Sequence, residues 1–409
     1  MPRNQRNQRN QEDEIMLSDI WRVMVALCDY RAWWRKLTGR PLVDVVFITN
    51  LRDEAERERF FGHRVPVLGH ADGPRIYQNG VAGRVRGIYS TAAEMLTKEG
   101  RRLARAQFIS ACEWAEHNGA KVVLLAASTK RLFGRDGAIL KERFPNLLFT
   151  IGDNGTAQML WVDVERALRN AKLDQRNARI LLIDPYGPEG ACLARRLLQA
   201  GYRVVAWSSN ETALADIQAD TGMEITSRLE DAGQVDAVVT CTHSAAARLG
   251  VYGVTRLRHS HRKLLVIDAA EPASLDIDAY AICLDEVVRQ DAGKAYSCQL
   301  HYVLGGWSRR LLMLSRGVVF GGYAEALSLY QAIHQLGQHE LAQMDWFEVD
   351  CPRLNQIGTV LTYAGFEPPA PACFGKRVED FDLAYANRPM TAFTPMSGNT
   401  LPMMASVRD

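Results

Sequence analysis

The clearest pattern in the chain is an alternation of short apolar runs with amphipathic stretches. Apolar runs at 178–184, 202–207, 235–241 and 263–269 predict buried strands, and the stretches between them carry apolar residues at helical spacing. Short apolar strands that alternate with helices are typical of a doubly wound parallel sheet. We therefore predict a Rossmann-like α/β domain over residues 171–292.

The segment before this domain predicts an N-terminal α/β domain over 15–170, of the kind that would hold a substrate. Apolar residues recur at helical spacing over 15–37, and a β-rich run follows over 42–50. A long helical pattern over 91–118 leads into an apolar run at 121–129 that predicts a buried strand. The β/α alternation thus begins well before the Rossmann-like segment.

The ends of the chain differ in composition from its centre. Residues 1–14 repeat Asn, Gln and Arg before turning acidic, which predicts a disordered arm. After the Rossmann-like domain, residues 293–366 predict helical segments that pack on the N-terminal domain, and 367–409 form a Pro-rich tail. The helix over 15–37 ends in aromatic and basic residues, so it is either a docking helix or one that contacts a membrane surface.

Composition and charge narrow the functional classes. The 49 Lys and Arg residues balance 47 Asp and Glu residues, so the charge gives no reason to expect nucleic acid as the main partner. No apolar stretch reaches the length of a spanning helix, and the polar start does not resemble a secretory signal, so we expect a cytoplasmic protein. The eight cysteines form no CxxC pair, and no metal site is predicted.

The turn after the first predicted Rossmann strand, residues 184–190, is the expected place for a dinucleotide pyrophosphate. A Gly-rich turn lets the backbone reach the pyrophosphate, and Gly187 and Gly190 are present at two of three expected positions. Asp184 replaces the first glycine, Pro188 removes a backbone donor and Glu189 adds a negative charge. The turn is therefore less favourable to phosphate than a standard one.

The ends of the next strands indicate which dinucleotide would bind. The second strand ends without the carboxylate that binds a free ribose hydroxyl, which favours NADPH over NADH. The third strand leads into a loop expected to pass under the nicotinamide, where Cys241 and His243 are candidate catalytic residues. The candidate cofactor contacts on these two loops are Ser208, Ser209, Asn210, Thr240 and Thr242.

Several segments, in the same order, resemble the fatty acyl-ACP reductase family. These segments are 83–96, 149–168, 266–272 and 318–330, and the resemblance covers residues 75–335, about two thirds of the chain. It implies an NADPH-linked oxidoreductase that reduces a long-chain acyl thioester to an aldehyde. It also implies an acyl carrier protein, or another protein subunit, as the partner, which the basic residues between Arg84 and Arg105 would steer.

The resemblance fails at the family's catalytic cysteine, because Gly322 stands at that position. Cys241 or Cys298 could serve as the nucleophile instead. Alternatively, the enzyme reduces a free carbonyl or an imine without a covalent intermediate. As a third possibility, the chain is a catalytically inactive homologue that serves as a binding or complex-forming protein. Candidates to line the substrate pocket are Thr150, Asn154 and Thr156, whose alternative role is turn and helix-cap chemistry.

Overall fold

Two six-stranded sheets organise the computed structural model, which describes residues 20–61, 65–241, 248–270 and 272–385. The first sheet has the strand order β13-β2-β3-β1-β4-β5. Strands β3, β1, β4 and β5 run parallel, while β2 is antiparallel to both β3 and β13. Its strands are β1 (Val45–Leu51), β2 (His70–Gln78), β3 (Val81–Thr91), β4 (Val122–Leu125), β5 (Leu148–Thr150) and β13 (His301–Tyr302).

The second sheet is entirely parallel, with the order β11-β10-β9-β6-β7-β8. When β6 is counted as strand 1 and the sheet is followed from β8 to β11, the order is 3-2-1-4-5-6, which is that of a Rossmann domain. This order confirms the predicted α/β fold class. The order reverses between β6 and β9, where such folds bind ligands. The strands are β6 (Arg179–Ile183), β7 (Arg203–Trp207), β8 (Glu224–Thr226), β9 (Ala237–Thr240), β10 (Leu264–Asp268) and β11 (Val287–Asp291).

Helices flank both sheets. Those of the N-terminal part are α1 (20–28), α2 (Tyr30–Leu37), α3 (Glu54–Phe61), α4 (Lys98–His117), α5 (Ala138–Arg143) and α6 (Asp153–Asn170). The Rossmann sheet carries α7 (Pro188–Gln199), α8 (Glu211–Thr221), α9 (Gly250–Leu257) and α10 (Ile277–Ile282). After it come α11 (Gly306–Leu311), α12 (Gly321–Tyr330) and α13 (Cys351–Tyr363). None of the described helices is long and apolar enough to cross a membrane.

Helix α6 joins the two cores. Its Met159 lies in the core of the first sheet, whereas Leu160 and Val164 lie in the Rossmann core. Helices α12 and α13 contribute to the core of the first sheet, as do two short antiparallel strands, β12 (Lys294–Tyr296) and β14 (Val318–Phe320). The described part of the tail, which includes β15 (Ala372–Cys373) and β16 (Lys376–Arg377), returns to the Rossmann domain, where the buried side chains of Phe381 and Leu383 join its core.

The single helix expected over 15–37 is wrong within the described part, because a buried aspartate interrupts it. Asp29 Oδ1 accepts a hydrogen bond from the Ala32 amide at 3.0 Å and so begins α2. The same carboxylate pairs with Arg75 at 2.9 Å and accepts from the Tyr77 hydroxyl at 2.8 Å. Residues 15–19 lie outside the described residues, as do the predicted arm over 1–14 and the tail beyond 385.

Two other helix boundaries also differ from expectation. The helical pattern over 91–118 becomes helix only at Lys98, because β3 continues to Thr91 and Thr97 caps α4 by accepting from the Gly100 amide at 3.0 Å. The sequence pattern over 163–172 also predicts a helix, and this segment falls in the second half of α6, which begins at Asp153 directly after Gly152 and ends at Asn170.

Candidate functional site

The carboxyl ends of both sheets supply side chains to one cluster of charged groups, and we call the space around this cluster the crevice. Lys130 follows β4, and Asp153 begins α6 after β5. Glu189 lies in the first turn of α7, after β6, and Glu325 lies on α12. The four side chains act on one another electrostatically, which brings residues of the N-terminal domain and of the Rossmann switch point together.

Hydrogen bonds from β1 and β4 fix the turn that carries Lys130. Asn50, at the end of β1, accepts from the Ser128 amide at 2.9 Å. Thr129 is fully buried and donates to the Ala126 carbonyl at 2.7 Å. These bonds direct Lys130 to Asp153, with which its Nζ forms an ion pair. The lysine is therefore held by the sheet rather than by a free loop.

The charge of Lys130 is favoured by its neighbours. Burial disfavours the ammonium, but Asp153, Glu189 and Glu325 outweigh that effect and raise the pKa of Lys130. The side chain is 28% exposed and that of Asp153 is 15% exposed, so both groups still contact solvent. The pair consists of a protonated amine and a carboxylate at the mouth of the crevice.

Glu325 lies beneath this pair and is completely buried. Its carboxyl accepts hydrogen bonds from the Thr150 hydroxyl and from the Gly155 amide in the first turn of α6. Burial raises the pKa of Glu325 to about 7 despite these two donors, and Asp153 raises it further. A side chain on Gly155 would prevent the contact, since a Cβ there would lie 2.6 Å from the Gly321 carbonyl oxygen.

Glu189 lies on the Rossmann side of the crevice, and its pKa is raised. It is partly buried and hydrogen bonds with Asp153. Burial raises its pKa to about 8, and the Asp153 charge contributes in the same direction while Lys130 opposes it. The raised pKa weakens the negative charge that the sequence alone leads us to expect at this position.

The Gly-rich turn itself keeps two features of a phosphate-binding turn. A Cβ on Gly187 would meet no atom within 4 Å, whereas one on Gly190 would lie 2.5 Å from the Pro185 Cα. Gly190 thus allows close packing of helix and turn, and Gly187 borders open space. Pro188 occupies the first position of α7, where its missing N–H costs the helix nothing. Asp184 is buried and adopts a left-handed φ of 51°.

Cys241 directly follows β9, and its amide donates to the Ile183 carbonyl at 3.0 Å. The residue therefore lies at the switch point beside the Gly-rich turn. Burial strongly raises the pKa of its thiol, and Glu189 and Asp184 raise it further. These surroundings disfavour the thiolate that a nucleophilic cysteine needs.

Cys298 is exposed and lies at the opposite edge of the first sheet. It precedes β13, whose His301 pairs with Tyr77 near the end of β2. Because β2 runs antiparallel to β3, this end lies with the amino ends of β1 and β4, away from Lys130. The two candidate nucleophiles are thus not brought together, and Cys298 does not share the crevice.

The predicted cofactor contacts after β7 and β9 have local roles. Ser208 accepts from the Asn210 amide at 3.0 Å, and Asn210 caps α8 by accepting from the Ala213 amide at 3.2 Å. Thr240 is buried and donates to Asp268 at 2.6 Å. Ser209 is exposed, and Thr242 and His243 lie outside the described residues.

Most of the predicted substrate-lining residues make hydrogen bonds within the protein itself. Thr150 donates to Glu325, and Asn154 donates to the Glu348 carbonyl at 2.9 Å. Thr156 donates to the Gly152 carbonyl at 3.0 Å. Gly322 lies at the crossing of α12 with α6, where a Cβ would meet the Gly152 carbonyl oxygen at 3.0 Å.

The basic residues between Arg84 and Arg105, which were expected to steer an acidic partner, differ in burial: two are buried and four are exposed. Arg84 and Arg86 are 7% and 5% exposed and face Trp114 of α4. Arg86 is also paired with Asp72 at 2.5 Å. The exposed members of the group are Lys98, Arg101, Arg102 and Arg105. Any cationic face here is therefore formed by the first turns of α4.

Sequence reasoning missed Lys130, Asp153 and Glu325 as site residues. The signal for Lys130 was available, because it follows an apolar strand at the edge where parallel sheets place their functional loops. Glu325 carried no such signal, since it stands in an apolar helix and only the fold shows its contacts with α6.

Comparisons with known proteins add little to this geometry. No protein-family model and no curated protein matches the chain. L-tryptophan dehydrogenase from Nostoc punctiforme is 10% identical over 78% of this chain and 90% of its own, with a TM-score of 0.37. A dipicolinate synthase subunit from Bacillus halodurans is 16% identical over 42% of this chain and 58% of its own, with a TM-score of 0.31. An acetophenone reductase from Geotrichum candidum, in complex with NAD, is 12% identical over 52% of each chain, with a TM-score of 0.27.

These similar structures are a dehydrogenase, a synthase and a reductase, and their likeness is too slight to carry a functional argument. The matched part spans little more than half of the dipicolinate synthase chain. The Rossmann topology follows from the strand order of this chain itself. The resemblance to acyl-ACP reductases is tested by none of these matches.

The residues at the switch point fit a nicotinamide dinucleotide. Gly187 leaves room for a pyrophosphate, Gly190 permits the close turn, and α7 points its amino end toward it. The raised pKa of Glu189 reduces the repulsion that a phosphate would meet at this turn. Pro188 leaves one backbone donor fewer than usual, which reduces the number of contacts without closing the space.

Proposed function

We propose that this chain is a nicotinamide-dinucleotide-linked oxidoreductase that reduces a carbonyl or imine carbon directly, without an acyl-enzyme intermediate. The observation that supports the proposal is the Lys130–Asp153 pair, which the first sheet holds against the switch point of a Rossmann domain. The absence of a carboxylate among Ser208, Ser209 and Asn210 supports NADPH as the cofactor.

When bound, the dinucleotide supplies the hydride that reduces the substrate carbon. Lys130 hydrogen bonds to the substrate oxygen or nitrogen and stabilises the negative charge that develops there. It then donates its proton to that atom, which yields an alcohol from a carbonyl or an amine from an imine. Asp153 orients Lys130, and Glu189 returns a proton through Asp153. Glu325 holds the first turn of α6, and therefore Asp153, in place.

A direct reduction suits this crevice better than covalent catalysis. Cys241 is surrounded by acidic groups that disfavour its thiolate, and Cys298 lies at the other edge of the sheet. Gly322 offers no side chain. Reduction of an acyl thioester delivered by an acyl carrier protein would have to proceed without the acyl-cysteine that the resembled family uses.

The proposal is tested with the purified full-length chain in two steps. Calorimetric titration with NADPH, NADP⁺ and NADH should give a micromolar Kd for NADPH, about −8 kcal/mol. The fall in NADPH absorbance is then followed with aliphatic and aromatic aldehydes, ketones, and 2-oxo acids with ammonia. We expect turnover with at least one of these classes.

The matched variants are Lys130→Met and Lys141→Met, since Lys141 also pairs with an aspartate but lies outside the crevice. Lys130→Met should lower kcat by about 10²- to 10⁴-fold with little change in the NADPH Kd. Lys141→Met should leave both unchanged. No binding of any dinucleotide at millimolar concentration would overturn the proposal and favour the inactive homologue. Full activity of Lys130→Met would overturn the assigned role of Lys130.

A further inference from the structure

An exposed apolar stripe runs along α1 and α2, away from the proposed crevice. Its side chains are 46% to 80% exposed, although all are large and hydrophobic. Within each of the two helices they are three, four or seven residues apart, the spacing that places side chains on one face of that helix. The members are Ile20, Val23, Leu27, Tyr30, Trp34 and Leu37. Such a stripe is costly to leave in water and indicates a contact surface.

A groove of about 600 Å³ opens beside α2. It lies between α2 and the turn that joins β2 to β3, with His301 at its rim. Trp33, Trp34 and Tyr77 supply most of its aromatic wall, and arginines, amide side chains and a histidine supply its polar groups. Among the described residues that line the groove, none is Asp or Glu.

The surroundings of the stripe are cationic. Arg31 stacks on Tyr30 at 5.1 Å and on Tyr77 at 5.3 Å, while Lys36 and Arg40 are exposed. The one acidic residue between positions 20 and 40 is Asp29, which is buried and neutralised by Arg75. The face therefore combines aromatic side chains with cations, and within the described part of the chain Arg31, Lys36 and Arg40 form no ion pair.

We propose that this aromatic–cationic face, formed by the stripe, the groove, Lys36 and Arg40, docks on an anionic lipid bilayer. Trp and Tyr favour the boundary between headgroups and acyl chains, and Lys and Arg attract anionic headgroups. The helices lie in the plane of the surface, as amphipathic interfacial helices do. Docking of a second copy would place like charges opposite each other, so the charge pattern favours lipid over self-association.

The aromatic–cationic face and the proposed crevice lie at opposite edges of the first sheet. Arg35 of α2 donates to the Gly80 carbonyl at 3.0 Å, which ties the face to the amino end of β3. Lys130 lies at the carboxyl edge of the same sheet. When the face contacts a bilayer, the proposed crevice therefore opens toward water. The docking proposal does not depend on the proposed reaction.

The test is co-sedimentation of the full-length chain with vesicles of phosphatidylcholine and phosphatidylglycerol at 3:1, compared with phosphatidylcholine alone. The chain should bind the anionic vesicles at least tenfold more tightly, and sodium chloride should weaken that binding. Trp34→Ala should lower the partition coefficient about tenfold, because it removes an anchoring ring. Lys36→Gln combined with Arg40→Gln should lower it about fivefold for each cation removed.

The matched control is Tyr252→Ala, which removes a 60% exposed ring from α9 of the Rossmann domain. It should bind vesicles like the parent chain, and circular dichroism should show that every variant is folded. Failure of the parent chain to bind anionic vesicles would overturn the proposal. Equal losses in Trp34→Ala and Tyr252→Ala would do the same. A lipid-free dimer that Trp34→Ala dissociates, without vesicle binding, would assign the face to a second copy instead.

Discussion

Replacing the buried carboxyl of Glu325 with an amide gives a sharp test of the crevice. In Glu325→Gln, the amide oxygen can accept from the Gly155 amide, and the NH₂ group can donate to the Thr150 hydroxyl. The substitution keeps the shape and both hydrogen bonds but removes the ability to ionise. At low pH, where Glu325 is neutral, we expect the two proteins to differ in unfolding free energy by less than about 1 kcal/mol.

The effect of pH follows from the raised pKa of Glu325. The value rises from 4.5 to about 7 on folding, because burial disfavours the carboxylate. The folded state therefore binds the proton more tightly, and the stability from this group is fully present below pH 4.5 and lost as the pH rises through about 7. Between pH 5 and pH 8 the parent chain should lose about 2.5 kcal/mol through this group alone. The glutamine variant should not incur this loss.

Urea denaturation at pH 5 and pH 8, followed by circular dichroism, measures the difference. Glu325→Gln should gain about 2.5 kcal/mol relative to the parent chain between the two pH values. The control is Glu142→Gln, which changes an exposed glutamate of α5 and should follow the parent chain. An identical pH dependence for Glu325→Gln and the parent chain would refute the argument that Glu325 is desolvated when folded.

Three further predictions concern packing and thiol reactivity. Gly155→Ala should destabilise the fold by about 2 kcal/mol or more in urea denaturation, because its Cβ would lie 2.6 Å from a backbone oxygen of α12. Asp29→Ala should cost about 3 kcal/mol in the same assay, since it removes a helix cap and leaves the buried Arg75 charge without this partner. With iodoacetamide and peptide mass mapping at pH 7.5, Cys298 should be alkylated at least tenfold faster than Cys241, whose thiolate is disfavoured. Faster alkylation of Cys241 would contradict the description of its surroundings.

Most of the Rossmann domain could be predicted because its inner strands are apolar by themselves. The runs at 178–184 and 263–269 contain β6 and β10 and exceed each strand by one residue at either end. The edge strands β8 and β11 were not predicted. Glu224–Thr226 has only three residues with one apolar side chain, so only its pairing with β7 defines it as a strand.

The chemistry of the crevice could not be predicted, because it depends on contacts distant in sequence. Thr150 and Glu325 are 175 positions apart, and neither position has a local pattern that requires the other. From the sequence of its own turn alone, Glu189 is expected to carry a negative charge that would repel a phosphate. Only the folded chain buries this carboxyl and places Asp153 beside it, and both effects raise its pKa. Local sequence determines which residues end the strands, and the packing of the two domains determines their charges.

The departures from the acyl-ACP reductase pattern are consistent with one another once the charges are considered together. Gly322 stands where the resemblance to that family predicts a thiol, and three carboxyls, Asp153, Glu189 and Glu325, act on a single lysine nearby. Excess acidic groups would raise the pKa of any thiol placed there and leave it un-ionised. The same groups keep Lys130 protonated. A crevice with this charge balance holds a positively charged donor that can stabilise negative charge on a substrate oxygen or nitrogen, and it is unsuited to activating a sulfur nucleophile.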